Sequence, residues 1–288
     1  MPVVVVTDSS ACLLPEHIQE YGIRVAPLHI LSAGRDFREG IDEIPEDLAG
    51  VTTAGASPSE LSETYAEALE SSEGAGVLAI HISRHLSGTW EAGRSAAQEF
   101  GGLVRIVDSQ STAMGLGYPA LAAARAAKSG ADLETVYRRA VDMAAGGRCL
   151  IVVDRLDQLR RGGRIGAAAA LLGTALAMKP VLHLVDGRLV LKEKTRTSTK
   201  ALAKMIDSAV EWAGLDRTAV AVHHMQARSR AEAVAQELKE RIPQVSDLLV
   251  TDISAVIGAH VGAGAVGVVL CPDPAEVPLE VDSSTTRR

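Results

Sequence analysis

Ser83-Arg84-His85-Leu86-Ser87-Gly88-Thr89-Trp90 follows an apolar run, Gly76-Val77-Leu78-Ala79-Ile80-His81-Ile82, and precedes a segment with helical patterning, Glu91 to Phe100. A buried strand running into a polar turn and then a helix is the repeating unit of an α/β fold. The turn also gathers unpaired backbone N–H groups, two hydroxyls and the positive end of a helix dipole. Together these attract an anion.

Outward from this stretch the unit recurs. Val3 to Val6 reads as a buried strand ending in Thr7-Asp8-Ser9-Ser10, and Pro15 to Tyr21 as a short helix stopped by Gly22. Arg24 to Leu31 is expected as a second strand, and Ser32 to Val51 as a polar excursion. Ser57 and Glu60 have capping-box spacing with Pro58 at the first helical position, which predicts a helix to about Ser71. Thr53 is then expected in a loop ahead of that helix. Leu103 to Val107 reads as a strand ending in Asp108-Ser109, followed by helices over Leu121 to Lys128 and Asp132 to Ala145. Alternation of this kind predicts a parallel sheet, with ligand beyond the carboxyl ends of its strands.

After Gly146-Gly147 the pattern changes. Cys149 to Val153 is a strand, Arg155 to Arg164 is basic, and Ala167 to Met178 is an alanine-rich helix. Asp186-Gly187 marks a hairpin between Pro180–Val185 and Arg188–Lys194. Apolar residues at 202, 205, 206, 209 and 210 predict a helix over Ser198 to Ala213 with one buried face. Strands at Ala219 to Val222 and Leu248 to Ile253 flank a helix expected to be capped by Ser229 with Glu232. The chain ends with Ile257 to Gly264, a strand over Ala265 to Leu270, and a tail from Pro272 expected to be poorly ordered. The expected architecture is α/β in two domains. Residues 1–147 form a parallel-sheet, three-layer domain, and residues 148–288 form a mixed-sheet domain.

The 288 residues are 47% hydrophobic and 23% charged, enough for a full core. A net charge of -7 argues against nucleic acid as a partner. Cys12, Cys149 and Cys271 lack metal-ligand spacing, so free thiols and no structural zinc are expected. The N-terminal stretch carries no signal-peptide pattern, and no apolar run approaches the ~20 residues that span a bilayer. A soluble cytoplasmic protein is expected.

Gly262 to Gly267 spells G-x-G-x-x-G, but a strand follows it where a dinucleotide site needs a helix. Gly115 to Ala120 is a weaker version and reads as a helix start. Asp8, Ser9, Ser87, Asp108, Ser109 and His260 could converge as a hydrolase set, although nothing in the sequence fixes a nucleophile next to a base.

Eight segments together say more. Thr7-Asp8-Ser9-Ser10, Thr53 to Pro58, Leu86-Ser87-Gly88-Thr89, Asp108-Ser109, Leu159 to Ile165, Lys179-Pro180-Val181-Leu182, Thr195-Arg196-Thr197 and Ile257 to Gly264 run along nearly the whole chain. In this order they resemble DegV family proteins. The resemblance implies a long-chain fatty acid bound between two α/β domains, with no cofactor or metal beyond that ligand. It assigns the carboxylate to Thr53, Ser87 and His260, supported by Ser9, Gly88, Thr89 and Gly262. It also implies presentation of the acid to a dihydroxyacetone-kinase-like fatty acid kinase subunit. Arg196 and Arg164 would face the acyl phosphate or that partner, and a transient contact with a membrane surface goes with such a role. The alternative is a self-contained hydrolase or phosphotransferase using Ser87 and His260. The family's Thr-Ser-Gln-Pro-Ser reads Thr53-Ala54-Gly55-Ala56-Ser57 here, its Gly-Pro-Gly reads Gly262-Ala263-Gly264, and its tyrosine after Ser-Gly-Thr is Trp90. These departures bear on loop shape, and so on preferred chain length or unsaturation.

Overall fold

The computed structural model describes residues 2–165 and 178–273. The helix expected from Ala167 and the tail beyond residue 273 lie outside the described residues.

A four-stranded parallel sheet has the order β2-β1-β6-β7, formed by β2 (Arg24–Ala26), β1 (Val4–Asp8), β6 (Val77–His81) and β7 (Val104–Asp108). Every residue of β6 is buried, as a central parallel strand requires. Helices α2 (Pro58–Ser71) and α3 (Thr89–Ala97) pack against this sheet and each other, and α4 (Met114–Lys128) and α5 (Leu133–Gly146) form a second layer. α2 starts with the capping box read from the sequence: the Ser57 hydroxyl accepts from the Glu60 amide at 3.3 Å, and the Glu60 carboxylate accepts from the Ser57 amide at 2.8 Å.

The second sheet has six strands in the order β10-β9-β8-β13-β11-β12, formed by β10 (Arg188–Thr195), β9 (Lys179–Val185), β8 (Arg148–Val152), β13 (Val266–Pro272), β11 (Thr218–His224) and β12 (Val245–Asp252). β11 and β12 are parallel and the other pairs antiparallel, a mixed sheet. Alternation along β11 explains how it is covered on both sides. Val220 and Val222 join the core under the helices Ser198–Ala213 and Arg228–Arg241, whereas Ala219 and Ala221 join the core shared with α4 and α5. The layer α4–α5 therefore lies between the two sheets.

A third, antiparallel sheet of order β4-β3-β5 covers one end, with β3 (His29–Ser32), β4 (Arg35–Arg38) and β5 (Thr52–Ala54). It corrects three expectations. Arg24 to Leu31 is two strands in different sheets, the polar excursion contains a strand, and Thr53 sits in β5 opposite Ile30. Burial of Ile30 and Phe37 against the α2 side of the core drives this small sheet, and single apolar residues do not make a periodic signal. α4 begins at Met114, at the helix start read from Gly115 to Ala120, and Gly115 and Gly117 let its first turn approach closely: a methyl at Gly117 would lie 2.7 Å from the Ala11 carbonyl. Ser229 does not cap its helix. The N-cap there is Ala227, without a side-chain bond.

Candidate functional site

An apolar cavity of about 140 Å³ lies between the two halves. Leu28, Ile82 and Leu86 line it from the first half, and Leu150, Ile151, Leu184, Leu189 and Val269 from the second. Its polar wall is made by Thr53, Ser87, Gly88, Arg164 and His260.

Each polar residue is placed by a different element. Thr53 is the centre of β5. Ser87 ends the turn after β6, in which the Ser87 amide donates to the Ser83 carbonyl at 3.0 Å, just ahead of Gly88 at the N-cap of α3. His260 lies near the end of a short helix, Ala255–Val261, labelled α7 here. Ser254 caps α7, accepting from the Ile257 amide at 3.3 Å, and Gly262 stops it with φ 78°. Glu39 and Ser9 steady its N-terminus: the Glu39 carboxylate accepts from the Val256 amide at 3.3 Å and from the Ser9 hydroxyl at 2.6 Å.

Thr53 Oγ1 and His260 Nε2 are 2.8 Å apart. Ser87 Oγ pairs with Thr89 Oγ1 at 2.8 Å and accepts from the Thr89 amide at 3.3 Å. A Cβ at Gly55 would lie 2.6 Å from Thr89 Oγ1 and 3.1 Å from Ser87 Oγ, so this glycine lets the β5 strand end close over the serine turn. Burial pushes the His260 ring down to about 4, and the Arg164 guanidinium adds to the effect. The ring is thus neutral at pH 7, with one N–H to give. Arg164 is held in place by its Nε, which donates to the Leu86 carbonyl at 3.0 Å. The arrangement presents hydroxyls, one imidazole N–H, a guanidinium and the start of α3 at one end of an apolar hole. Such a set can hold a single carboxylate.

The other residues named from the sequence fall elsewhere. Thr89 is buried beneath Ser87. Ser9 acts on the site only through Glu39 and through the Leu28 amide, which donates to its hydroxyl at 3.1 Å. Gly262 packs against Gln158. Arg196 does not line the cavity. It borders an exposed groove with Lys194, Lys200 and Lys204. Asp108 is engaged by the Gln110 amide at 2.9 Å and by Arg84. Ser87 and His260, the pair a hydrolase would use, are bonded to Thr89 and Thr53 and not to each other. Three cavity or support residues escaped the sequence reading: Glu39, Thr112 and His223. Only His223 had a signal, its inward place in the alternation Ala219, Ala221, His223.

Among the described residues no group of three or more His, Cys, Asp or Glu is placed to hold a metal ion. No described helix is long and apolar enough to cross a membrane.

Comparison with known proteins bears on the same cavity. A family model described as "Uncharacterised protein, DegV family" matches residues 2–273. A DegV domain-containing protein of Mycobacterium tuberculosis is 50% identical over 271 residues, covering 93% of this chain and 96% of the relative. A Thermus thermophilus structure, described as fatty acid binding of a DegV family protein, is 33% identical with a TM-score of 0.89, covering 94% of this chain and 100% of that one. DegV from Bacillus subtilis, described as a fatty acid binding protein, is 30% identical with a TM-score of 0.85, covering 94% and 99%.

Proposed function

The chain belongs to the DegV family, and on that premise we propose that it binds a long-chain fatty acid in the cavity between its halves. Thr53, Ser87 and His260 hold the carboxylate. The observation that carries this reading is the shape of the cavity's chemistry: mainly apolar walls, with the Thr53 and Ser87 hydroxyls and a neutral imidazole gathered together. The Thermus and Bacillus relatives, both named for fatty acid binding, support it.

The energetics agree. Burying a tail supplies at most ~0.8 kcal/mol per methylene, so about fifteen methylenes give on the order of 12 kcal/mol before the costs of association. A carboxylate buried without partners would forfeit several kcal/mol of that. Donors at Thr53, Ser87 and His260 remove the penalty without a bidentate arginine clamp. They leave a carboxylate oxygen free to accept a phosphoryl group from a partner's nucleotide. Presentation to a kinase subunit is the finer part of the proposal, with Arg164 beside the site and Arg196 on its own groove as partner-facing cations. The hydrolase alternative needs a Ser87–His260 bond, which the geometry does not offer.

Titration with palmitic acid and its methyl ester tests the carboxylate assignment. The acid is expected to bind wild type at least tenfold more tightly than the ester, and Thr53→Ala and Ser87→Ala are each expected to narrow that gap. Equal binding of acid and ester, unchanged in both variants, would refute it.

A further inference from the structure

Gly262-Ala263-Gly264-Ala265-Val266-Gly267 spells G-x-G-x-x-G without the helix that a dinucleotide site needs, so its glycines call for other reasons. Gly262 stops α7 and Gly264 lies in the turn that follows, with φ of 78° and 84°. A side chain would strike Gln158 at the first and Asp154 at the second. Gly267 has neither reason. It lies inside β13 with its φ outside the left-handed region. Its pairing runs through without a bulge, directly opposite Ile151 of β8 on one side and His223 of β11 on the other. Glycine inside a strand weakens it, and where no bulge or bend explains the choice, another backbone or a ligand comes close. No other backbone crowds this position. The nearest atoms to a Cβ built at residue 267 all belong to the flanking strands: the Leu150 carbonyl oxygen at 3.4 Å, His223 Cβ at 3.9 Å and Ile151 Cγ1 at 4.0 Å, all ordinary contacts. Residues directly opposite one another in antiparallel strands share a face, and Ile151, Gly267 and His223 all line the cavity.

We propose that Gly267 is a specificity-determining residue: the acyl chain crosses the second sheet over this glycine, in the gap that its missing side chain leaves between Ile151 and His223. Those two side chains flank the gap, and Val269, the next residue of β13 on the same face, lines the cavity beyond it. A gap one side chain wide matches a single run of methylenes. Because packed walls yield little, a side chain added here takes its space from the ligand and not from the fold. This inference rests on the fatty-acid reading above and names the residue that makes room for the tail, as distinct from those that hold the carboxylate.

Calorimetric titration of wild type, Gly267→Ala and Gly267→Val with palmitic acid and methyl palmitate tests it, beside urea unfolding of each protein. Gly267→Ala is the primary variant, since its methyl meets no clash. It is expected to unfold at or above the wild-type urea midpoint, because alanine costs a strand less conformational entropy than glycine. Palmitic acid is expected to bind Gly267→Ala roughly threefold and Gly267→Val at least about tenfold more weakly than wild type. The ester should lose affinity by the same factors, because the obstruction lies under the chain that both ligands share. Palmitic acid binding both variants as tightly as wild type overturns the inference. So does a loss shown by the acid alone, since residue 267 would then act on the carboxylate. A lower urea midpoint in Gly267→Ala also overturns it, by giving the glycine a role in the fold. Wild type that binds neither acid nor ester would instead bring down the fatty-acid reading itself.

Discussion

His260 and His223 are both rings whose charge the fold suppresses. Burial is the main cause for each, with Arg164 adding at one and His224 at the other, and both sit near 4 against an ordinary value of 6.5. The unfolded chain therefore takes up protons between pH 6.5 and about 4 that the native protein does not. Stability falls as the pH drops through that window, by up to ~1.4 kcal/mol per pH unit for each ring. Urea midpoints across this range should show a shallower fall in His223→Leu than in wild type; parallel curves would contradict the assignment. Gly55 gives a steric prediction at the same scale. Its replacement by alanine drives a methyl against Thr89 Oγ1 and Ser87 Oγ, so Gly55→Ala should weaken palmitic acid binding while leaving the circular dichroism spectrum unchanged. Of these residues, Thr53, Ser87 and His260 could be named from their motifs. The bond between Thr53 and His260 joins positions 207 residues apart, and no local pattern announces such a contact.

At the scale of elements, the site depends on how α7 is held. Glu39 lies on the segment after β4 and reaches the N-terminus of α7, while Cys12 Sγ lies 3.3 Å from the Ser254 amide. Glu39 is paired yet costly: burial raises its carboxyl above the ordinary value, against the bonds from Ser9 and Val256. Glu39→Ala leaves those groups unpaired and loosens the helix that carries His260. Lower palmitic acid affinity and a loss of roughly 1–2 kcal/mol in stability are expected, with Glu39→Gln recovering much of both because it keeps an acceptor. Calorimetry and urea unfolding read the two effects; an alanine variant indistinguishable from wild type would detach Glu39 from the site. The long, periodic elements were legible in advance. β6, α2 and the β9–β10 hairpin at Asp186-Gly187 follow from apolar runs, a capping box and a turn pair. The small β3–β4–β5 sheet was not, since its strands are three or four residues long and anchored by single side chains.

For the molecule as a whole, the α4–α5 layer joins two sheets of different character, and the cavity is lined from both halves and from α7. The change from parallel to mixed pairing could be read from the shift in pattern after Gly146-Gly147, because helix-length crossovers give way to a hairpin. The cavity itself could not, since its walls come from elements scattered from Leu28 to Val269. A ligand filling it contacts both halves and should stabilise them together. Lipid-stripped protein given palmitic acid at about a hundredfold over its dissociation constant should gain ~2.7 kcal/mol, or roughly 5–10 °C in melting temperature. No shift would mean that the cavity is not filled. The central claim is tested most directly by denaturing organic extraction of the purified protein followed by mass spectrometry of what is released. A long-chain fatty acid in near-stoichiometric amount is the predicted result. Protein that yields no acyl species and takes up none when fatty acids are added would contradict the account.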